Sequence, residues 1–310
     1  MKYSQSNIKK AKKYLDNNNC IGIPTETVYG LAGNAYSDKA VKKIFSLKKR
    51  SKSNPLIVHY DNLSQLKKDC NLNKDFLLLY NKFCPGPLTF VLKLKKNSKI
   101  SKIATNNRKI LAVRFPKQGL FKKLIKNLGY PLAAPSANIS NKLSSVKASD
   151  VKEEFGNKIK FVLDGGKCKV GIESTIISLV KKPEILRLGG LENSKIKKVL
   201  NKPIIININP NKKSAPGQSK LHYSPGIPLR MNAKKLKKDE AFVVLKKKNI
   251  RNKDYFYLSK KGNLNEATKN LYSTLRKIKK KGYKSIAVEK IKSVGLGQSI
   301  NDRLNRASKF

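Results

Sequence analysis

Apolar residues recur along the first two thirds of the chain in short, regularly spaced groups. Helical spacing predicts helices over residues 6–18, from Asp38 onward, and over 75–83, 120–128 and 149–155. Compact apolar runs predict strands, which are 20–23, 56–59, 89–94, 110–114, 132–134, 159–163, 175–179 and 185–186. Because helices and strands alternate, we expect an α/β domain with a twisted mixed sheet and flanking helices over residues 1–205.

The pattern changes over residues 206–228. This stretch has no helical period and carries four prolines, which are Pro210, Pro216, Pro225 and Pro228. We interpret it as an interdomain linker. Beyond it, apolar runs at 242–245 and 285–288 alternate with helical patterns at 267–278 and 299–307. Residues 229–310 therefore predict a small, Rossmann-like α/β domain.

The net charge of +50 changes this picture only in part. Basic side chains in such excess indicate attraction to nucleic acid. However, 60 of the 69 basic residues are lysines spread over the whole length, which is equally typical of a general compositional bias. The charge therefore leaves attraction to RNA or other polyanions open. The nine arginines are more informative, since their planar group suits bidentate contacts with anions.

Cysteine spacing and hydropathy exclude several other classes of protein. The four cysteines are far apart and form no CxxC pair, so neither a zinc site nor a disulfide framework is predicted. The first residues lack the apolar segment of a signal peptide, and no run approaches the ~20 apolar residues of a membrane span. We therefore expect a cytoplasmic protein that does not contact the membrane.

Candidate chemistry lies where predicted strands end. The motifs GxxxxGK[ST] and GxGxxG are absent. Instead, Arg114 and Arg187 end apolar strands, Lys48 and Arg50 close a helix, and 135–138 forms a small polar loop. Each feature alone is also typical of a solvated helix end or a turn. Together they predict an anion site, because α/β sheets bind ligands beyond their strand ends.

Two acidic residues in these loops resemble a catalytic pair, Glu26 and Glu173. Loop carboxylates more often accept hydrogen bonds from backbone N–H groups. We therefore expect structural roles for both, and no side chain stands out as a general base.

At this point the sequence resembles the threonylcarbamoyl-AMP synthases, in the long form with an additional C-terminal domain. The matching motifs occur in the family's order and are IPTETVYGLAGNA (23–35), LKKRSKSNPLIVHY (47–60), CPGPLTFVL (84–92), LAVRFP (111–116), LAAPSANIS (132–140), LDGG (163–166), GIESTII (171–177), ILRLGG (185–190), APGQSKLHYSPG (215–226) and GLGQSINDRLNRAS (295–308). The resemblance implies a YrdC-like catalytic domain over residues 1–205, a linker over 206–228 that lies over the active site, and the smaller domain over 229–310.

The resemblance also implies site residues. The family's basic and polar tetrad around the phosphates, which we take as catalytic, matches Lys48, Arg50, Ser136 and Asn138. Its threonine-binding positions match Thr27, His59, Arg114, Ala134 and Ser174. Its ATP-binding positions match Arg50, Asn54, Ile110, Ser136, Ser144, Arg187, His222 and Tyr223. Mg²⁺ is implied as a cofactor that accompanies ATP, with no protein side chain predicted as its direct ligand.

The implied reaction joins L-threonine, bicarbonate or CO2, and ATP into threonylcarbamoyl-AMP and pyrophosphate. The enzyme would thus be a nucleotidyltransferase, and its product would serve the threonylcarbamoyladenosine modification of tRNA. A downstream tRNA threonylcarbamoyl transferase is the implied partner. Chemistry of this kind depends on positioning and charge stabilisation more than on covalent catalysis.

The chain departs from the family pattern at the edges of the predicted site. Cys84 stands where Trp is common, Leu188 where Pro is usual, and Asn141 where Gly is typical. Residues 145–146 replace a Pro-Thr pair, and the usual His after the Arg114 strand is absent. These departures leave the geometry of the 136–146 loop open, while the tetrad is intact.

Two alternatives remain at this stage. A non-catalytic RNA-binding protein would account for the charge, but would leave the arginines and histidines at strand ends unexplained. A related domain that makes carbamoyl-AMP for metal-centre assembly would bring acylphosphatase and CxxC segments, which this chain lacks.

Overall fold

A computed structural model describes residues 5–209, 222–249 and 252–309. Its helices are α1 (Gln5–Asp16), α2 (Asp38–Lys48), α3 (Leu63–Asp69), α4 (Lys74–Phe83), α5 (Lys102–Thr105), α6 (Gly119–Lys126), α7 (Ala148–Phe155), α8 (Asn193–Leu200), α9 (Leu264–Lys280) and α10 (Leu296–Ala307). Its strands are β1 (Ile21–Ile23), β2 (Gly30–Asn34), β3 (Ile57–His59), β4 (Leu88–Lys93), β5 (Ile110–Arg114), β6 (Leu132–Ala133), β7 (Thr175–Ser178), β8 (Glu184–Arg187), β9 (Ile205–Ile206), β10 (Leu229–Arg230), β11 (Glu240–Lys246), β12 (Tyr255–Ser259) and β13 (Ser285–Val288). Residues 210–221 of the predicted linker lie outside the described residues.

Within the described residues, the first nine strands form one mixed sheet in the order β1-β2-β6-β3-β5-β4-β7-β8-β9. The central pairs alternate in direction: β3 runs parallel to β5, β4 antiparallel to β5, and β7 parallel to β4. Helices pack against this sheet through buried apolar side chains, for example Val41, Ile44 and Phe45 of α2. The predicted twisted mixed sheet with flanking helices is confirmed.

The predicted strand over 159–163 is wrong. Val162 forms a single bridge with Gly22, and only two backbone hydrogen bonds tie this segment to Gly22. Ile159 and Leu163 are nevertheless buried. A short apolar run signals burial, and it does not distinguish a strand from an extended core segment.

The sequence pattern missed β2, whose residues GLAGN have low strand propensity. Close packing explains the second glycine of β2, because a Cβ on Gly33 would lie 3.3 Å from the Cβ of Ala40 in α2. Helix α2 can therefore approach the sheet closely at this point, and tertiary packing overrides the local preference.

The last four strands form a separate parallel sheet in the order β10-β13-β11-β12, with α9 crossing from β12 to β13. This is the small α/β unit expected after the linker. One cluster of buried apolar side chains continues from the first sheet into α9 and α10, and it includes Ile172, Leu188, Leu271 and Leu304. The two sheets thus share an apolar seam. No described helix is long and apolar enough to cross a membrane.

Candidate active site

A cavity lies at the edge of the first sheet where β3, β5 and β8 end. Strand register explains the convergence: His59 pairs with Arg114, which in turn pairs with Thr89, and Ile176 pairs with Arg187. The cavity lining includes ten of the predicted site residues, which are Thr27, Arg50, His59, Arg114, Ala134, Ser136, Ser174, Arg187, His222 and Tyr223. Strand ends that are far apart in the sequence therefore meet at one site.

Arg50 is held in place by its own loop. Helix α2 ends at Lys49 in the left-handed conformation, with φ of 49°, which turns the chain toward the cavity. The Arg50 Nε then donates to the Asn54 carbonyl and Nη2 to the Pro55 carbonyl, both at 2.9 Å. Asn54 contributes its backbone oxygen to this clamp, and the guanidinium is oriented before any ligand arrives.

Arg114 forms a buried ion pair with Glu26. Its Nη2 lies 2.7 Å from Oε1 of Glu26, and the second carboxylate oxygen accepts the backbone N–H of Lys117 at 3.1 Å. The Arg114 Nε is 3.4 Å from the Gly86 carbonyl. Glu26 therefore has the expected structural role, and it fixes the arginine that ends β5.

Hydroxyl groups line the opposite wall. The Ser174 Oγ lies 2.7 Å from the Thr89 hydroxyl and accepts a hydrogen bond from Arg187 Nη2 at 3.1 Å. Arg187 Nε also donates to the Ser174 carbonyl at 3.0 Å. Across the cavity, the hydroxyls of Thr25 and Thr27 are 2.8 Å apart. Each hydroxyl is thus held by a neighbour at a fixed position.

Two members of the predicted tetrad lie behind the cavity wall. The Lys48 ammonium, 1% exposed, donates to the backbone carbonyls of Ser136 and Asn138. The Asn138 amide in turn donates to the carbonyls of Ile139 and Lys142, at 2.8 and 2.9 Å. Lys48 and Asn138 therefore shape the loop that presents Ser136, and the structure does not place them among the cavity-lining residues.

Three predicted nucleotide contacts, Asn54, Ile110 and Ser144, are also not among the cavity-lining residues. Ile110 begins β5, four residues before Arg114, which corresponds to about 13 Å along an extended strand. It packs with Ile57, a cavity-lining residue, in one apolar cluster on the sheet. Ser144 is buried and donates to Oε1 of Glu173 at 2.6 Å. The predicted contact of Ile110 would require a ligand that extends along this apolar face.

The site carries an excess of positive charge. Burial lowers the pKa of Lys48 well below its usual value, and the neighbouring Arg50 lowers it further. Burial and the charge of Arg187 lower the pKa of Arg50 to about 9. Burial also lowers the pKa of Arg187. Cations that lower one another's pKa favour an anionic ligand. Its negative charge would reduce their mutual repulsion and compensate for the hydration that they lose on burial.

Both histidines of the chain line this cavity and are neutral there. Burial lowers the pKa of His59 to about 3, and the Arg114 charge adds to the effect. Burial likewise lowers the pKa of His222 to about 3. His59 Nδ1 and the Tyr223 hydroxyl are buried without a hydrogen-bond partner in the described chain. Buried polar atoms are normally paired, so both point to a ligand that completes them.

Sequence reasoning missed three parts of the site. Thr25 and Tyr29 line the cavity beside Thr27, and the adjacent hydroxyls in Thr25-Glu26-Thr27 were the available signal. Glu173 lines the cavity and is structural as expected, but side chains rather than distant backbone N–H groups hold it. Its partners Tyr272 and Arg303 come from the second sheet's helices, and local sequence carries no signal for that pairing.

Metal ligands are not clustered in the described part of the chain: no group of three or more His, Cys, Asp or Glu side chains there is arranged to hold an ion. The Glu173 carboxylate already accepts hydrogen bonds from Ser144, Tyr272 and Arg303. The site therefore offers hydroxyl and carbonyl oxygens, together with cations. Such a donor set fits a hydrated Mg²⁺ that is carried by substrate phosphates.

Comparison with known proteins agrees with this geometry. A family model described as Telomere recombination matches residues 13–189, and a second, described as Threonylcarbamoyl-AMP synthase, C-terminal domain, matches residues 191–309. The threonylcarbamoyl-AMP synthase of Pyrococcus abyssi is 34% identical, and the match covers 98% of this chain and 94% of that relative. The Bacillus subtilis threonylcarbamoyl-AMP synthase is 33% identical, with coverage of 97% and 92%.

A solved structure shares the whole architecture. The crystal structure of P. abyssi Sua5 complexed with L-threonine superposes with a TM-score of 0.91 at 32% identity. The superposition covers 100% of this chain and 96% of that chain, so both sheets are included. Because these matches extend over almost the full length of each relative, the chain belongs to the threonylcarbamoyl-AMP synthase family.

Proposed function

We propose that this chain joins L-threonine, bicarbonate or CO2, and ATP into threonylcarbamoyl-AMP and pyrophosphate in the cavity at the end of β3, β5 and β8. The observation that supports this most strongly is the group of buried, mutually repelling cations among ordered hydroxyls. Such a site suits a ligand with several negative charges. As a member of its family, the chain is an enzyme of the nucleotidyltransferase type.

Threonine would lie between β5 and the loop around Ser174. Arg114 is held by Glu26 and would bind the amino acid's carboxylate. Thr27, Ser174 and the unpaired Nδ1 of neutral His59 would orient its hydroxyl and amine. Ala134 lines the same cavity, and its small side chain leaves room for the threonine methyl group. Binding of L-threonine is supported by a relative of the same architecture that was solved in complex with L-threonine.

The triphosphate would lie on the other side, near Arg50, Ser136 and Arg187. Arg50 is oriented by its own loop, so it would stabilise negative charge that develops on the α-phosphate without moving. His222 and Tyr223 lie beside this region and would contact the nucleotide. We further propose that ATP extends along the apolar face of the sheet from Ile57 toward Ile110.

Mg²⁺ would enter with ATP as part of the substrate, bound mainly by phosphate oxygens and water. When bound, it supplies further positive charge to the triphosphate. Ser136, whose hydroxyl lines the cavity, is the residue that we propose to contact its hydration shell.

The reaction needs positioned substrates more than a nucleophilic side chain. The neutral amine of threonine would attack CO2 and pass a proton to water or a phosphate oxygen, which gives a carbamate. A carbamate oxygen would then form a bond to the α-phosphorus as the bond from that phosphorus to the β-phosphate oxygen breaks, and pyrophosphate leaves. Glu173 is an unsuitable base for this proton, because three side chains already donate to its carboxylate.

The product chemistry places this step before transfer of the threonylcarbamoyl group to tRNA. We propose a downstream tRNA threonylcarbamoyl transferase as the consumer of the product and the cytoplasm as the place of action. Weak attraction of tRNA to the basic surface remains part of the proposal. A purely RNA-binding role is not favoured, because it does not account for the cavity lined by arginines and hydroxyls or for the near full-length match to these enzymes.

The test is pyrophosphate release from ATP, Mg²⁺ and bicarbonate, with L-threonine or L-serine at equal concentration. We expect release that depends on threonine and falls with serine, because serine lacks the methyl group that contacts the Ala134 wall. Release that is indifferent to the amino acid would contradict the proposed specificity, and no release would contradict the activity.

A further inference from the structure

Glu173 is the point at which the second sheet's helices reach the cavity wall. Its carboxylate accepts hydrogen bonds from the Tyr272 hydroxyl, at 3.0 and 3.2 Å, and from Arg303 Nε at 3.1 Å. Tyr272 belongs to α9 and Arg303 to α10, and both are fully buried. Glu173 immediately precedes Ser174 and itself lines the cavity. One carboxylate thus joins the substrate site to the C-terminal domain.

Helix α10 also holds the second loop of the site. The Ser299 hydroxyl donates to the Gly189 carbonyl at 2.9 Å, and Arg303 Nη1 donates to the Leu188 carbonyl. These carbonyls directly follow Arg187, the cavity arginine at the end of β8. The same helix therefore fixes the loops that carry both Ser174 and Arg187.

Helix α9 touches the first loop through its backbone. Gly171 has φ of +83°, and a Cβ added there would lie 2.5 Å from the Cα of Lys269. A residue with a side chain would be strained at this φ and would push α9 away. The close approach shows that the 171–175 loop is shaped to fit against α9.

Aromatic contacts connect Arg303 and Tyr272 to a third cavity-lining residue, Tyr223. The Arg303 guanidinium lies 5.1 Å from the centre of the Tyr223 ring, and the rings of Tyr223 and Tyr272 stack at 5.9 Å. Tyr223 lines the cavity. Cation–π and stacking contacts of this kind fix the plane of the ring.

We propose that Tyr272 and Arg303 are positioning residues for the substrates, and that they link ligand binding in the cavity to docking of the C-terminal domain. Through Glu173, Tyr223 and the Leu188 carbonyl they fix three cavity-lining segments at once. The linkage is reciprocal: a ligand that needs these segments in place stabilises the docked domain by the same free energy with which docking strengthens ligand binding. The inference rests on the proposed function for the identity of the ligands.

Tyr272→Phe is the primary test, because it removes one hydroxyl and keeps the ring that stacks on Tyr223. We expect the KM for L-threonine to rise roughly fivefold to twentyfold while kcat falls less than threefold, since a looser loop weakens binding more than chemistry. Arg303→Met should give a larger rise of the same kind. Tyr283→Phe is the matched control, because the Tyr283 hydroxyl donates to the Asp254 carboxylate at 2.7 Å within the second domain. It should leave the KM unchanged.

Amide hydrogen exchange tests the linkage without turnover. With L-threonine and a non-hydrolysable ATP analogue, we expect slower exchange in α9 and α10 of the wild-type chain and of Tyr283→Phe, and a much smaller effect in Tyr272→Phe. Ligand protection in α9 and α10 that is equal in all three proteins, or an unchanged threonine KM in Tyr272→Phe, would overturn the inference. Because exchange needs only binding, the result is separable from a failure of the proposed reaction.

Discussion

Two arginines that face the protein interior serve opposite purposes in this molecule. Arg50 in the cavity donates to two backbone carbonyls, and burial together with the nearby Arg187 lowers its pKa to about 9. Arg303 at the domain seam is more deeply buried, with 1% exposure, but there Tyr223, Glu173 and Asp302 outweigh burial and raise the pKa of Arg303 well above its usual value. The first charge awaits a ligand, whereas the second is balanced by the fold.

The comparison teaches how to separate binding residues from structural ones. A buried charge that lacks a balancing charge costs several kcal/mol, so a fold retains it where a ligand compensates. A buried charge paired with a carboxylate fixes the relation of two segments instead. Arg114 belongs to both groups, because Glu26 holds it while it faces the cavity.

The largest expected effect comes from removing the unbalanced charge. Arg50→Ala should reduce kcat/KM for pyrophosphate release roughly 10²- to 10³-fold, as expected for loss of a charge that stabilises the transition state. Its thermal midpoint should change little, because relief of like-charge repulsion offsets the lost hydrogen bonds to the Asn54 and Pro55 carbonyls. Lys52→Ala is the control, since it removes an exposed cation from the same loop. A variant at Arg50 with more than half the wild-type rate would contradict the assignment.

Arg114 tests the residue that is both paired and in the cavity. Arg114→Gln should raise the KM for threonine roughly tenfold to a hundredfold with little change for ATP, because a charged hydrogen bond to the carboxylate is lost. It also strands the buried Glu26, so it should lower the thermal midpoint.

The double variant Glu26→Gln/Arg114→Gln separates these effects. It removes both charges and should recover much of the lost stability without recovering threonine affinity. Recovery of the wild-type threonine KM in the double variant would show that Arg114 acts only through folding.

Lys48 should behave as a structural residue despite its place in the family's tetrad. Lys48→Met leaves the Ser136 and Asn138 carbonyls without their donor, at a cost of about 1–3 kcal/mol for each buried group. We expect a thermal midpoint lowered by several degrees, together with weaker ATP binding as the loop loosens. If Lys48→Met kept the wild-type thermal midpoint but lost all turnover, the Lys48 ammonium would instead contact the ATP phosphates directly.

The smallest effect concerns pH. Because the pKa of His59 is lowered to about 3, the ring is neutral from pH 6 to 8, and threonine affinity should not show its titration there. The pKa of His59 in the folded chain lies below the ordinary value of 6.5, so protonation of this residue costs no folding stability above pH 6.5. As the pH falls from 6.5 toward 3, the unfolded chain binds this proton first, and the free energy of unfolding decreases by about 1.4 kcal/mol per pH unit.

His59→Gln should therefore lose less stability than the wild-type chain between pH 6.5 and 4, as measured by thermal unfolding. Identical pH profiles for the two proteins would mean that His59 is not held neutral by the fold.

Much of the site could be predicted from the chain alone, because strand ends carry it. His59, Arg114 and Arg187 each follow a short apolar run, and parallel or paired strands bring such ends together. What escaped prediction depends on distant pairing. Glu173 and Arg303 are 130 residues apart, and no periodicity or local motif relates their partners. The inward direction of Lys48 could not be predicted either, because its partners are the backbone carbonyls of Ser136 and Asn138, and every residue type has such a carbonyl.

The predicted strand at 159–163 shows the opposite error. There an apolar run was taken for a strand, although its side chains are buried in an extended segment with one bridge. Apolar pattern therefore predicted the core more reliably than it predicted the hydrogen bonding. The domain limits and the role of each site residue remain predictions until variants are measured.

The most direct test of the central claim is the mass of the nucleotide product. The wild-type chain should be incubated with ATP, Mg²⁺, L-threonine and ¹³C-bicarbonate, and the adenylate analysed by mass spectrometry. The account predicts threonylcarbamoyl-AMP that contains one ¹³C atom, together with an equal amount of pyrophosphate. An adenylate of threonine without ¹³C, or no adenylate at all, would contradict it.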